Sequence, residues 1–227
     1  MVPEMMAALE EAMRGTRASR AVVLTGEGRA FCVGADLKWV SSQPDAAEAI
    51  AEQVHAHHLA MRAMLDVPVP IVAAVNGAAA GGGMSLALAT DYRIASPNAS
   101  FTAAYFKLGL TPDGGNSAFL ARTIGQARAM ELLLSNRRLA AEEALSWGLV
   151  SEIVPAEQLV ERACEVALSF GEVPPETLLR TRELLDGGSW RPLRQQLNAE
   201  EDAMCEAARR EFFRDALQAF LNRRPSP

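Results

Sequence analysis

The chain has 227 residues, of which 49% are hydrophobic and 22% charged, and it has a formal net charge of −6 with a pI near 5.2. The length and the apolar share predict one globular domain with a full core, and they exclude a disordered or fibrous protein. The acidic balance excludes general nucleic-acid binding, because no basic face is visible to neutralise phosphates.

No segment of the sequence has the character of a membrane span or a signal peptide. The longest apolar stretches are interrupted by Pro, Asn and Gly before they reach the ~20 residues that a span needs. The N-terminal stretch is acidic and helix-like rather than basic and then apolar. Cys32, Cys164 and Cys205 are too few and too widely spaced for a disulfide framework or a zinc site. We therefore expect a cytoplasmic protein with reduced, mostly buried thiols.

Strands dominate the early part of the predicted fold and helices the later part. From about Gly114 onward the pattern is helical except at Leu149–Val154. This order indicates α/β packing with a helical C-terminal portion, and we divide the chain into a core domain, 1–172, and a C-terminal helical lobe, 173–227. The earlier predicted elements are a helix over Glu4–Met13, a strand over Arg20–Thr25, a loop over Glu27–Asp36, a helix over Asp45–Leu65, a strand over Ile71–Val75, a turn over Asn76–Gly83, a helix over Gly82–Ala89 and a strand over Tyr92–Ala95.

Two loops of small residues stand at the ends of predicted strands. The first is the run Phe31–Lys38, in which glycine and alanine let a ligand approach the backbone closely. The second is Gly77–Ser85, whose glycines expose backbone N–H groups at the start of a helix, where an anion is favoured. Either loop alone is also explained by a tight turn or by close helix packing.

The pair of loops at this separation, with Asn76 before the second loop and Asp91 after its helix, resembles the crotonase (enoyl-CoA hydratase/isomerase) superfamily. The resemblance continues through 101–124 and 141–155 and covers nearly the whole chain. It implies an α/β fold, a crotonase-like spiral of ββα units with a C-terminal helical lobe, assembled as a homotrimer or a dimer of trimers. It also implies an acyl-CoA thioester substrate, with coenzyme A part of that substrate and no metal or redox cofactor.

The resemblance assigns roles to particular positions. It implies that the N–H groups of Ala35 and Gly82 bind the thioester oxygen. Further residues that it places at the substrate are Gly81 and Tyr105, and near the nucleotide end of coenzyme A, Lys38, Phe220 and Arg223. A solvated surface charge explains Lys38 and Arg223 equally well. One departure is a missing strand pair before the first helix, which raises the hypothesis that Met1 is a misplaced start.

The reaction is indicated by three positions that follow the second loop. Hydratases of the family use two glutamates to activate water, and the matching positions here are Ser85 and Tyr105, which disfavours ordinary hydration. Asp113 matches the single acid/base carboxylate of the double-bond isomerases and of the ring-opening epoxyphenylacetyl-CoA isomerases. We expect an apolar acyl pocket to raise its pKa towards neutrality. The alternative is that Asp113 only caps the next helix.

Two other functions stay open. The 4-chlorobenzoyl-CoA dehalogenases of this superfamily have a nucleophilic aspartate at the position of Asp113 and a histidine base at that of His58. Against this, we expect His55, His57 and His58 to be exposed or partly buried helix residues. A non-catalytic acyl-CoA-binding paralogue would keep Ala35 and Gly82 without needing Asp113. The methionines Met61, Met64, Met84 and Met130 are expected in the core or the acyl pocket.

Overall fold

Two four-stranded sheets organise the fold, which we describe from a computed structural model covering residues 1–16, 19–187 and 192–222. All strands of the first sheet are parallel. In spatial order they are β1 (Val22–Thr25), β3 (Ile71–Val75), β5 (Tyr92–Ala95) and β8 (Glu152–Ile153). The second sheet comprises β2 (Ala30–Cys32), β4 (Ala78–Ala80), β6 (Ser100–Thr102) and β7 (Leu139–Ala140), of which only β7 runs antiparallel to its neighbour.

Successive strand pairs divide between the two sheets. The first strand of each pair (β1, β3 and β5) joins the first sheet, and the second strand (β2, β4 and β6) joins the second. Helices follow each pair, so the chain winds as a spiral of ββα units, and the predicted fold class is confirmed. The helices are α1 (Pro3–Gly15), α2 (Leu37–Ser42), α3 (Ala46–Leu65), α4 (Gly82–Leu88), α5 (Asn116–Ile124), α6 (Gln126–Ser135), α7 (Ala141–Ser146), α8 (Leu159–Phe170), α9 (Pro175–Gly187), α10 (Leu193–Ala208) and α11 (Glu211–Leu221).

The strands of the second sheet were not predicted from the sequence. The segments predicted as a loop, 27–36, and as a turn, 76–83, contain β2 and β4. Each of these strands has three residues, and β4 is composed of alanine alone. Such short strands show no alternation of apolar and polar side chains that a sequence could reveal. They form because they pair with neighbouring strands, and not because of their own composition.

The central strand β3 separates the two parts of the hydrophobic core. All five of its residues are buried, and successive side chains point to opposite faces of the sheet. Ile71, Ala73 and Val75 belong to the main core, which also contains residues of α3. Val72 and Ala74 pack with apolar residues of α8 on the other face. Burial on both sides explains the continuous apolar sequence of this strand.

Several expectations about individual residues were wrong. Cys164 is exposed and Cys32 and Cys205 are partly buried, so the thiols are free but not mostly buried. Met130 is exposed on α6, although Met61, Met64 and Met84 are in the core as predicted.

The helices in residues 1–16, 19–187 and 192–222 include none with the length and apolar character of a membrane span.

The C-terminal helices pack on the early part of the fold. Helix α10 lies along α3, and α11 contacts α2. Helix α9 is joined to the first sheet by Arg182, whose guanidinium donates to the carbonyl oxygens of Val67 (2.5 Å) and Val69 (3.2 Å). The same guanidinium makes a bidentate pair with Asp91, and Asp91 also accepts from the N–H of Ile71 at 2.8 Å. The boundary between core and lobe near residue 172 stays a prediction.

We predict that Arg182→Met lowers the free energy of unfolding by about 2 kcal/mol. The substitution removes the guanidinium donors from the carbonyl oxygens of Val67 and Val69 and from the carboxylate of Asp91, which keeps the N–H of Ile71. The methionine side chain preserves most of the apolar stem. Urea denaturation at neutral pH measures the change.

Arg180→Met, on the same helix, is the matched control. The Arg180–Glu183 pair is largely exposed, with side chains 79% and 64% accessible, so its loss should change stability by less than ~0.5 kcal/mol. Equal losses in the two variants would show that Arg182 does not anchor α9.

Candidate active site

The loops that follow β2, β4 and β6 border one cavity of about 660 Å³. These strands are parallel neighbours, so their carboxyl ends lie at the same edge of the sheet. Ala35 follows β2, the pair Gly81 and Gly82 follows β4, and Tyr105 follows β6. All four residues line the cavity, which brings the sequence-predicted loops together.

Glycine is required where the two loops touch. A Cβ on Gly83 would lie 2.0 Å from the carbonyl oxygen of Cys32, and one on Gly34 would lie 2.8 Å from that of Ala80. No side chain fits at these distances. Among the described residues, the backbone N–H groups of Ala35 and Gly82 donate to no protein acceptor. That both point at one oxygen stays a prediction.

The first residue of the chain lies at the same loops. The amino group of Met1 donates to the carbonyl oxygen of Gly34 at 2.5 Å, and the N–H of Asp36 donates to the carbonyl oxygen of Met1 at 3.1 Å. The terminal methyl of Met1 lies 2.8 Å from where a Cβ on Gly82 would be. Met1 thus forms part of the cavity wall.

Asp113 lies on the cavity wall and is 7% exposed. The hydroxyl of Tyr105 donates to its Oδ1 at 2.8 Å, and Nδ1 of His57 lies 3.2 Å from its Oδ2. Helix α5 begins three residues later, and the carboxylate caps none of its N–H groups. The alternative that Asp113 is only a helix cap is therefore wrong.

The two buried histidines of α3 have different partners. His57 and His58 are 2% and 0% exposed, so the expectation of exposed or partly buried residues is wrong for both, although His55 is exposed. Nε2 of His58 accepts from the N–H of Gly114 at 2.8 Å. In the dehalogenase alternative the resemblance placed His58 as the base that acts with Asp113, whereas the histidine within hydrogen-bonding distance of that carboxylate is His57. The helical register decides this, because neighbouring residues point about 100° apart around the axis.

Glu200 of α10 was missed by the sequence interpretation. It is 4% exposed and accepts from the N–H groups of Gly115 (2.6 Å) and Ser117 (3.1 Å), and from the Ser117 hydroxyl. A signal was present: Glu200 falls on the same helical face as Leu193, Leu197 and Met204, which are all buried. An acidic residue on an apolar stripe indicates a buried carboxylate with donors of its own.

Charges and burial shift the pKa values of four side chains at the cavity and the turn beside it: Asp113, Tyr105, His58 and Glu200. Burial raises the pKa of Asp113, but the nearby His57 and His58 and the hydrogen bonds from His57 and Tyr105 outweigh it, so the pKa lies below its ordinary value. The expected rise towards neutrality is therefore wrong. Burial together with the charge of Asp113 raises the pKa of Tyr105 well above its usual range. Burial lowers the pKa of His58 to about 4, and burial raises that of Glu200 to about 7.

Ser85 and Tyr105, which the resemblance matches to the water-activating glutamates of hydratases, both contact Asp113. Ser85 is fully buried, and its hydroxyl donates to the main-chain oxygen of Asp113 at 2.9 Å. It also accepts from the side-chain amide of Asn116 at 3.2 Å and lies 3.2 Å from the Tyr105 hydroxyl. Neither Ser85 nor Tyr105 supplies a carboxylate.

The residues expected near the nucleotide end of the substrate lie at the rim. Lys38 on α2 is exposed, Phe220 on α11 is 48% exposed, and both line the cavity. Arg223 lies outside the described residues. In the described part of the chain, no three His, Cys, Asp or Glu side chains are grouped as metal ligands would be.

Comparison with known proteins gives concordant matches. A sequence model described as enoyl-CoA hydratase/isomerase matches residues 1–227. A "Probable enoyl-CoA hydratase" of Rhodobacter capsulatus is 37% identical over 98% of this chain and 90% of its own. The 1,2-epoxyphenylacetyl-CoA isomerase of Escherichia coli is 35% identical, over 97% of this chain and 86% of its own.

A solved structure agrees with the fold. The crystal structure of an enoyl-CoA hydratase from Bacillus halodurans superimposes with a TM-score of 0.85 at 30% identity, and the match covers 96% of this chain and 90% of that one. The family model matches the whole chain, and the two relatives and this structure each match at least 96% of it. The chain belongs to the enoyl-CoA hydratase/isomerase family.

Proposed function

We propose that the protein is an isomerase of acyl-CoA thioesters, which moves the double bond of a 3-enoyl-CoA or opens a strained ring next to the thioester. One observation carries the proposal: Asp113 is a buried carboxylate of the cavity wall, whereas Asp36, which also lines the cavity, is exposed and caps the first turn of α2. Ser85 and Tyr105 stand where the resemblance places the water-activating glutamates of hydratases. An isomerase needs one group that takes and returns a proton, whereas hydration also needs a base for water.

The proposed reaction begins with Asp113 as a carboxylate. It takes a proton from C2 of the 3-enoyl thioester, and the electron pair moves onto the thioester oxygen to give a dienolate. The carboxylic acid then returns the proton to C4 on the same face, and the double bond comes to lie between C2 and C3. The lowered pKa of Asp113 keeps it in the form that can accept the first proton.

The negative oxygen of the dienolate needs donors. We assign this role to the N–H groups of Ala35 and Gly82, because both residues line the cavity and neither N–H has a protein acceptor in the described chain. Gly82 is the first residue of α4, so the positive end of that helix adds to the stabilisation. Lys38 and Phe220 at the rim are assigned to coenzyme A, and a homotrimer or a dimer of trimers is part of the same proposal.

A second candidate is supported by His57. His57 lines the cavity, its Nδ1 lies 3.2 Å from Oδ2 of Asp113, and its buried Nε2 is without a hydrogen-bond partner among the described residues. A nucleophilic aspartate attacked afterwards by water that a histidine activates would use this arrangement, as in the 4-chlorobenzoyl-CoA dehalogenases. A single turnover in heavy-oxygen water distinguishes the isomerase from the hydrolase. Heavy oxygen in the Asp113 carboxylate supports the hydrolase, and an unlabelled Asp113 after isomerisation supports the isomerase.

We expect Asp113→Asn to lower the rate of isomerisation of 3-hexenoyl-CoA by ~10²–10⁴-fold. The amide keeps the size of the side chain and can still accept from Tyr105, so folding should survive. Turnover and melting temperature are measured on the same preparations.

Hydration of crotonyl-CoA by the wild type should stay below ~10 s⁻¹, a rate typical of good enzymes.

Asp215→Asn is the control for Asp113→Asn, because Asp215 is exposed on α11 and does not line the cavity. It should leave the rate unchanged. A normally folded Asp113→Asn protein that isomerises within a few-fold of the wild type would remove Asp113 from the reaction and favour the acyl-CoA-binding paralogue.

The pH dependence should follow the lowered pKa of Asp113. A base works when deprotonated, so a pKa below the ordinary value moves the loss of activity to lower pH, and kcat/KM should stay level from about pH 8 to about pH 5. Circular dichroism at each pH checks the fold, because Glu200 has its pKa raised to about 7. An acid limb between about pH 6 and 7 with intact structure would contradict the assignment.

A further inference from the structure

Glu200 of α10 is a buried acid that the proposed reaction does not use. It is 4% exposed, and both of its carboxylate oxygens accept hydrogen bonds from the turn that follows Asp113. Oε2 accepts from the N–H of Gly115 at 2.6 Å, and Oε1 accepts from the N–H of Ser117 at 3.1 Å. The Ser117 hydroxyl donates to the same Oε1 and accepts from the side-chain amide of Gln196 at 2.7 Å. Two side chains of α10 therefore hold this turn.

The turn has little conformational preference of its own. Gly114 and Gly115 follow Asp113 directly, and their φ angles of +63° and +80° lie in the left-handed region. Glycine enters this region without a steric cost, but it also loses the most conformational freedom when it is fixed there. A side chain at Gly114 is excluded, because its Cβ would lie 2.3 Å from Cε1 of His57. The conformation of the turn thus depends on hydrogen bonds from outside it.

The position of the Asp113 carboxylate depends in turn on this backbone. Oδ1 accepts from the Tyr105 hydroxyl at 2.8 Å, and Oδ2 lies 3.2 Å from Nδ1 of His57. A backbone shift of about 1 Å would lengthen these contacts beyond the ~3.5 Å limit of a hydrogen bond. It would also move the carboxylate away from C2 of a bound thioester, and a misplacement of ~1 Å can cost ~10²-fold in rate.

We propose that Glu200 is a positioning residue of the reaction, which holds the turn after Asp113 so that the Asp113 carboxylate stands at the substrate. The proposal rests on the proposed function, because Asp113 is the base of that reaction. Glu200 is absent from the residues that line the cavity, so it acts through the turn and not on the substrate.

A carboxyl group is suited to this role in either protonation state. Both oxygens of the carboxylate accept from N–H groups. When Glu200 is protonated on Oε1, that proton can be donated to the Ser117 hydroxyl, and both oxygens keep acceptor capacity. An amide has one acceptor oxygen, and its nitrogen only donates. Glutamine at this position would therefore satisfy one N–H group and oppose the other.

Glu200→Gln tests the role at nearly unchanged size. For 3-hexenoyl-CoA, kcat should fall by ~10–10²-fold, because the base is displaced. The affinity for hexanoyl-CoA, measured by calorimetry, should stay within ~3-fold, because Glu200 lies outside the cavity wall. Glu200→Asp should lower kcat as well, since a carboxylate that is one methylene shorter cannot reach both N–H groups. It decides the question if the glutamine variant does not fold.

Glu206→Gln is the matched control. It makes the same change on the same helix, at an exposed side chain that pairs with Arg210. It should leave kcat unchanged. Circular dichroism and melting temperature are measured on the same samples. A folded Glu200 variant that is less stable but keeps kcat within ~3-fold would show that Glu200 only caps α5, and would overturn the proposal.

The titration of Asp113 separates this inference from the proposed function, because it needs no reaction. The titratable groups around Asp113 are Tyr105, His57 and His58 of α3, and Glu200 of α10. Burial raises the pKa of Asp113, and the charges and hydrogen bonds of the histidines and Tyr105 lower it. A carboxylate that moves away from these donors in Glu200→Gln should have a higher pKa. The loss of a negative charge from Glu200 would by itself lower the pKa of Asp113.

Nuclear magnetic resonance of protein with carbon-13-labelled aspartate follows this titration, and Asp113→Asn identifies the signal. The midpoint should rise by ~1 pH unit or more in Glu200→Gln and stay unchanged in Glu206→Gln. This rise, with a wild type that isomerises no 3-enoyl-CoA, would support positioning by Glu200 and reject the isomerase. Isomerisation by the wild type, with neither a raised midpoint nor a lowered kcat in Glu200→Gln, would support the isomerase and reject the positioning role.

Discussion

The buried turn from Asp113 to Ser117 is the constraint on which the site depends. A helix start leaves several N–H groups without partners inside the helix, and here the turn is closed off from water. The N–H of Gly114 is accepted by His58, and those of Gly115 and Ser117 by Glu200. The acceptors come from α3 and α10, so the position of the Asp113 carboxylate depends on two helices that are far apart in the sequence.

The two buried carboxyl groups of this region, Asp113 and Glu200, have pKa values that are shifted in opposite directions. Asp113 is contacted by His57 and by the hydroxyl of Tyr105, and its pKa is lowered. Burial, with the charge of Asp113 adding to it, raises the pKa of Glu200 to about 7, despite donors at Gly115 and Ser117. Of the two carboxyl groups, Glu200 is therefore the one that is partly protonated near neutral pH. Like charges in a low-dielectric interior favour such a division.

The cavity is formed between two kinds of wall. The carboxyl ends of β2, β4 and β6 contribute backbone at one edge of the second sheet, where glycines at positions 34 and 83 allow the loops to touch. Helix α3 contributes side chains, among them His57 and Gln53. Backbone donors are insensitive to substitution, whereas side chains on a helix vary freely. We therefore expect the chemistry that the family shares to depend on the loops, and the choice of substrate to depend on side chains of α3.

The sequence by itself determined the α/β class and the long elements, because the 3.6-residue period of α3 and the apolar run of β3 are local patterns. Its two glycine-containing loops carried the resemblance to the family, and that resemblance singled out Ala35, Gly82 and Asp113. Only the tertiary structure decided that β2 and β4 are strands, that His57 rather than His58 contacts Asp113, and that Glu200 supports the turn. These depend on contacts between residues far apart in the chain, up to 85 positions for Glu200 and Gly115. The pKa of Asp113 also depends on such contacts. From the sequence we expected an apolar pocket to raise this pKa, whereas the charged and polar residues that folding brings beside the carboxylate lower it.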